Sequence, residues 1–163
     1  MTTSSSVGVI GLGAMGLGMA KSLRRAGHAV QAFDVRPGVA QAFAAEGGTA
    51  APSAAALAAA CSVVVSVVVN AAQTEELLFG SGGVAAAMRP GSVFVMCSTV
   101  DPATSSGFEA RLEALGLQYL DAPISGGAAK AASAQMTMMT AGKPAAYAAC
   151  GTVLESMAAK VYR

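Results

Sequence analysis

Hydrophobic and polar positions along this chain fall into short blocks of two kinds. Val7-Gly8-Val9-Ile10 is an apolar run that leads into glycines, and residues 14–25 then carry alanine, methionine and leucine at helical spacing until Gly27 stops them. The pattern predicts strand, turn and helix. A second strand is expected over 29–34 and a helix over 39–46, ended by Gly47-Gly48, while Ser53 is placed to cap a helix that runs to Ala60. Residues 63–69 are an almost pure valine run, and its lack of polar alternation is what a strand covered on both faces of a parallel sheet requires. The same beat predicts helices near 74–78 and 84–88, a strand over 92–97, a long helix over 102–115, a strand over 119–121, a further segment over 136–140 and a closing helix over 144–158. Such alternation implies right-handed crossovers, and so an α/β fold: a Rossmann-type doubly wound, mostly parallel sheet with helices on both faces.

Composition narrows the classes. The 163 residues suit one domain with a single sizeable core. Hydrophobic residues make up 54% and charged residues 12%, which excludes intrinsic disorder and raises the question of a membrane. The most apolar window, 54–69, changes from alanine and leucine to valine at Cys61-Ser62, so it reads as a helix followed by a strand, too short to span a bilayer. Residues 1–6 are polar and lead straight into a strand pattern, without a secretory signal, so the cytoplasm is expected. Cys61, Cys97 and Cys150 are odd in number and far apart, and read as small buried hydrophobes rather than a disulfide or zinc framework. A formal charge of +1 without a basic block gives no footprint for nucleic acid. The single histidine, His28, has no companion metal ligand and reads as a surface residue in a turn. The alanine-rich stretches 54–60 and 128–134 suit compact helices.

Gly11-Leu12-Gly13-Ala14-Met15-Gly16 is a G-x-G-x-x-G sequence directly after a strand and opening a helix. Gly11 permits the tight turn, Gly13 lets the backbone approach a pyrophosphate, and Gly16 lets helix and strand pack closely. The anion then lies at a helix N-terminus, where free N–H groups and the helix dipole favour it. A plain strand-to-helix turn is the alternative. Asp34, 21 residues after Gly13, ends the second strand where a carboxylate accepts hydrogen bonds from the adenosine ribose. That charge repels a 2′-phosphate and favours NAD over NADP. Arg36 points the other way, since its guanidinium can pair with such a phosphate or stack on adenine; Val35 lies between them.

The turn, the segment Cys97-Ser98-Thr99-Val100-Asp101-Pro102 and the segment Asp121-Ala122-Pro123-Ile124-Ser125-Gly126-Gly127 together resemble the β-hydroxyacid dehydrogenase (3-hydroxyisobutyrate dehydrogenase) family over almost the whole chain. Within it, Val69-Asn70-Ala71, Met136-Thr137-Met138-Met139 and Lys160-Val161-Tyr162-Arg163 are most similar to the branch that acts on L-threonate. The resemblance implies that Val69, Asn70 and Thr99 lie along the cofactor near its nicotinamide half; for Thr99 the alternative is a capping or turn residue before Pro102. It implies that Ser125, Gly126 and Gly127 contact the substrate carboxylate and hydroxyl, which suits a hydroxyl beside exposed backbone N–H groups. A tight turn that demands glycine is the alternative there. Ala134 stands where the family usually has glycine, which is expected to reshape the loop behind the substrate.

The reaction the resemblance implies is hydride transfer from a hydroxyl-bearing carbon to nicotinamide, with a lysine as general base. The resemblance places that lysine, and an all-helical domain that closes the cleft and supplies dimer contacts, beyond Arg163. Lys160 matches a position just before the strand that precedes the catalytic motif, and Lys21, Lys130 and Lys143 read as solvated surface residues. The expectation is therefore an NAD-dependent 3-hydroxy acid dehydrogenase, homo-oligomeric as a whole, with this piece binding cofactor, turning over little and exposing an apolar face. Two rivals are a stand-alone dinucleotide-binding sensor module and an NADPH-dependent glyoxylate or succinic semialdehyde reductase.

Overall fold

The computed structural model describes residues 6–163. The polar lead that suggested no export signal lies, for residues 1–5, outside the described residues. In chain order the elements are β1 (Ser6–Ile10), α1 (Gly16–Arg25), β2 (Ala29–Phe33), α2 (Val39–Ala45), β3 (Thr49–Ala50), α3 (Ala54–Ala60), β4 (Val63–Ser66), α4 (Ala71–Phe79), α5 (Val84–Ala87), β5 (Val93–Met96) and α6 (Pro102–Glu113). They continue as β6 (Gln118–Asp121), β7 (Ile124–Ser125), α7 (Gly127–Ala132), β8 (Met136–Met139), β9 (Ala141–Gly142), α8 (Pro144–Met157) and β10 (Ala158–Tyr162).

Seven strands form one sheet in the order β3-β2-β1-β4-β5-β6-β9, parallel except for β9. The expected doubly wound architecture is present, and the strand order reverses between β1 and β4, which opens a crevice at their carboxyl ends. The central strands explain their own sequences. Val63 and Val65 of β4 and Val93 and Val95 of β5 pack into the layer formed with α1 and α8, whereas Val64, Phe94 and Met96 pack into the layer of α3, α5 and α6. Both faces are covered, so no position is left for a polar alternation. The apolar window over 54–69 divides into α3 and β4, with Ser53 Oγ accepting the Ala56 N–H at 3.0 Å as the cap. Among the described residues, no helix is long and apolar enough to cross a membrane.

Several expectations need correction. The valine strand ends at Ser66 rather than Val69, because β1 stops at Ile10: the Val67 N–H makes a last bond to Ile10 O at 2.8 Å, and Ser98 Oγ then takes Val68 O at 2.6 Å. The 136–140 segment, left without a type by the sequence, forms β8 in a separate three-stranded sheet ordered β10-β8-β7. The last helix does not close the chain, since 158–162 is a strand parallel to β8 and contains Lys160, expected ahead of it. Alanine at 158 and 159 favours helix by propensity; pairing with β8 overrides it. His28 is half-buried rather than free on the surface, with Nε2 3.0 Å from Ser156 Oγ on α8. The three cysteines are buried and free.

Candidate functional site

The glycine turn sits at the mouth of the crevice, and its three glycines differ in what surrounds them. At Gly11 the backbone is left-handed (φ 97°), and a Cβ would lie 2.3 Å from Val67 O. At Gly16 a Cβ would lie 1.8 Å from Gly11 O, so the first turn of α1 packs directly on the loop. Around Gly13 a Cβ would meet nothing within 4 Å. Two glycines are therefore demanded by the fold, while the third is demanded by no contact among the described residues. The helix opens at Gly16, two residues later than expected, without a side-chain cap or an acidic residue in its first turn. No bond runs from the backbone N–H of Gly13, Ala14 or Met15 to another described residue. These amides face solvent at the positive end of a ten-residue helix, an arrangement that receives an anion.

Asp34 follows β2 directly, and its carboxylate ties the second strand to the turn. Oδ2 accepts the Leu12 N–H at 2.7 Å and Arg36 Nη2 at 3.2 Å, while Oδ1 accepts the Arg36 N–H at 2.9 Å and Arg36 Nε at 3.0 Å. The Arg36 side chain is the main cause that holds the carboxyl down at about 2; burial opposes it, and the Arg36 and Leu12 N–H groups add to it. Four donors fill the sites a carboxylate offers. The Arg36 side chain is 59% exposed, so a competing donor from solvent can displace the guanidinium from Asp34. Arg36 Nη2 also reaches Leu12 O at 3.2 Å, so strand end, turn and arginine form one network. The Leu12 N–H as a fixed partner of Asp34 has no sequence signature of its own.

Val35 and Val69 are the most exposed large hydrophobic residues, at 87% and 79%. Each follows a strand at the carboxyl edge, and neither belongs to the hydrophobic core. Asn70 is not free, as its Oδ1 accepts the Gln73 N–H at 2.9 Å and caps α4. Thr99 is exposed and is not the cap before Pro102; Asp101 is, accepting the Thr104 N–H at 2.9 Å. The structure thus puts Gly11–Gly16, Asp34, Val35, Arg36, Val69, Asn70 and Thr99 along the carboxyl edge of β1, β2, β4 and β5.

Ser125 ends β7, where it pairs with Thr137, and Gly126 and Gly127 lead into α7 with φ of 134° and 75°. Glycine is thus required by the backbone, and all three residues are exposed. The helix closes at Ala134, which takes φ 58° with Gln135 N–H bonded to Lys130 O at 2.8 Å. This is the glycine-type helix ending carried by alanine. Ala134 is thus held in a left-handed conformation that is strained for a residue with a Cβ. At the other end of the motif, Asp121 Oδ2 accepts Ser105 Oγ at 2.9 Å, Ser105 Oγ lies 2.8 Å from Tyr119 OH, and burial raises the Asp121 carboxyl.

Sequence reading missed how the two loops are joined. A Cβ on Gly18 of α1 would lie 2.7 Å from the backbone nitrogen of Ala132 in α7, and one helical turn on, Ser22 Oγ donates to Ala131 O at 2.8 Å. Arg25 continues the stripe by bonding Ala132 O. The helix behind the glycine turn therefore carries the helix behind Ser125-Gly126-Gly127. A glycine inside a helix costs about 1 kcal/mol against alanine, and that was the available signal.

Comparison with known proteins agrees with this geometry. Residues 6–163 match the family described as the NAD binding domain of 6-phosphogluconate dehydrogenase. An L-threonate dehydrogenase of Cupriavidus necator is 53% identical over 160 residues, which are 98% of this chain and 54% of that protein. A crystal structure of a 3-hydroxyisobutyrate dehydrogenase from Salmonella typhimurium has a TM-score of 0.93 at 44% identity, over 98% of this chain and 55% of that one. The Mycobacterium tuberculosis 3-hydroxyisobutyrate dehydrogenase with L-serine has a TM-score of 0.89 at 33% identity, over 98% of this chain and 54% of that one. The chain spans about half the length of the curated relatives it matches.

Proposed function

The chain belongs to the family of the NAD binding domain of 6-phosphogluconate dehydrogenase, and from that premise we propose that it is the cofactor half of an NAD-dependent dehydrogenase of small 3-hydroxy acids, with L-threonate as substrate. The observation that carries the reading is the open space at Gly13 beside unbonded amides, with Asp34 held ionised next to it. Pyrophosphate binds at the amides of residues 13–16, the ribose hydroxyls at Asp34, the adenine against Val35, and the nicotinamide end near Val69, Asn70 and Thr99. NAD is preferred because the ionised Asp34 repels a 2′-phosphate. Bound NAD supplies the hydride acceptor.

Ser125, Gly126 and Gly127 hold the substrate carboxylate and hydroxyl, within a domain whose two helices are locked together at Gly18. The proton of the substrate hydroxyl goes to a lysine supplied by sequence outside these 163 residues. In this reading the chain binds cofactor and turns over little, the whole protein is a homo-oligomer, and three free thiols suit the cytoplasm.

Two tests bear on this. NADH should bind more tightly than NADPH, and Asp34→Ala should remove the difference; equal dissociation constants for the unaltered chain contradict the NAD preference. A fusion of this chain to the remaining half of the Cupriavidus necator relative should produce NADH from NAD and L-threonate, while the chain alone should not. A fusion that binds NAD and stays inert toward L-threonate contradicts the substrate.

A further inference from the structure

We propose that Lys130 is the positive charge against which this domain holds an anionic hydroxy acid at the Ser125-Gly126-Gly127 turn, and that this charge selects 2-hydroxy over 2-amino forms of the substrate. The proposal rests on the reading that the turn takes the substrate. Lys130 lies in α7, four residues after the helix's N-cap Gly126. A Cβ built on Gly126 would lie 2.9 Å from Lys130 Cβ, 3.0 Å from its Cδ and 3.4 Å from its Cγ. The aliphatic stem therefore lies across Gly126, and the ammonium, two bonds past Cδ, is tethered within reach of the turn. Residues 125–130 are all exposed, so nothing in the domain separates that charge from a bound anion.

The electrostatic surroundings support the assignment. Like Arg24, Arg25, Arg89, Lys160 and Arg163, Lys130 has no carboxylate partner among the described residues, and it is the one whose stem lies against Gly126. Between residues 121 and 143 the only acidic residue is Asp121, which is bonded to Ser105 on α6. The cation beside the turn is thus uncompensated. The turn's own donors are neutral: they orient a carboxylate but supply no net charge. An ammonium supplies it, as a point charge on a flexible stem. A 2-amino acid carries its own ammonium, which meets Lys130 as a like charge and cancels the gain; a 2-hydroxy acid such as L-threonate does not.

The test is a titration of the isotope-labelled chain with L-threonate and with L-serine, with and without NADH, following the amide resonances of Gly126 and Gly127. The unaltered chain should show saturable shifts that favour L-threonate. Lys130→Met should weaken L-threonate about 5-fold, the upper range for an exposed charge, and leave L-serine no weaker. Lys130→Arg, which keeps stem and charge, should keep the preference that Lys130→Met loses; a purely packing role for the stem predicts that both variants keep it. Unchanged affinity for L-threonate in Lys130→Met, an unchanged ratio of the two ligands, or no shift at Gly126 and Gly127 in the unaltered chain overturns the proposal. NADH-induced shifts at residues 13–16 in the same samples report the cofactor reading separately.

Discussion

The three glycines of the turn should separate stability from binding. Gly11→Ala places a methyl 2.3 Å from Val67 O and 2.9 Å from Val67 C, both backbone atoms at the exit of β4, on a residue with φ 97°. The left-handed conformation costs about 1–2 kcal/mol, and the forced backbone shift adds a similar amount. A loss of about 3 kcal/mol lowers the melting temperature by roughly 6–12 °C in a domain of this size. Gly16→Ala, with its methyl 1.8 Å from Gly11 O, should cost at least as much. Gly13→Val is different. Its backbone lies outside the left-handed region and its Cβ meets nothing, so stability should hold or rise by about 0.5 kcal/mol through the unfolded state. The isopropyl group then fills the space kept for the pyrophosphate, and NADH affinity should fall at least about 100-fold, roughly 2.7 kcal/mol. Thermal melts and NADH titration of the same three variants decide it. A Gly13→Val protein that melts as low as Gly11→Ala, or that binds NADH as the unaltered chain does, refutes the reasoning.

Other consequences follow from single residues. Ala134→Gly should stabilise the fold by about 1 kcal/mol, since φ 58° is strained for alanine, and an unchanged urea midpoint would show that the strain is not there. Ser66 is fully buried with a hydroxyl that finds no partner among the described residues, so Ser66→Ala should raise stability by about 1 kcal/mol; a loss would mean that the hydroxyl is bonded in solution. Gly18→Ala should weaken the docking of α7 on α1, shifting the resonances of Gly126 and Gly127 more than those of residues 13–16. The folded Asp34 carboxyl sits at about 2, below its ordinary value, so its contribution to stability is complete above about pH 4 and fades as pH falls through 2. The stability gap between the unaltered chain and Asp34→Asn should close over that window, and a gap that persists at pH 2 contradicts the assignment.

How far the sequence could be read depended on the kind of constraint involved. Alternating blocks bounded by glycine revealed the parallel sheet, because burial on both faces leaves the uniform signature seen in Val63, Val64 and Val65. Elements two residues long, such as β3 and β9, have no periodicity to detect, and only their partners define them. The 158–162 strand was hidden because its first residues are alanine and its register is set by β8. Gly11, Gly13, Gly16 and Asp34 were legible through spacing alone. The filling of Asp34 by Arg36, the capping role of Asn70 and the docking of Gly18 on α7 were not, since each depends on where two separate segments meet.

The measurement that bears most directly on the account is calorimetric titration of the folded 163-residue chain with NADH, since cofactor binding is the activity the account assigns to its own residues. The account predicts saturable binding at a single site, lost in Gly13→Val and weakened in Asp34→Ala. A folded chain that releases no binding heat and shows no NADH-induced change at residues 13–16 contradicts it.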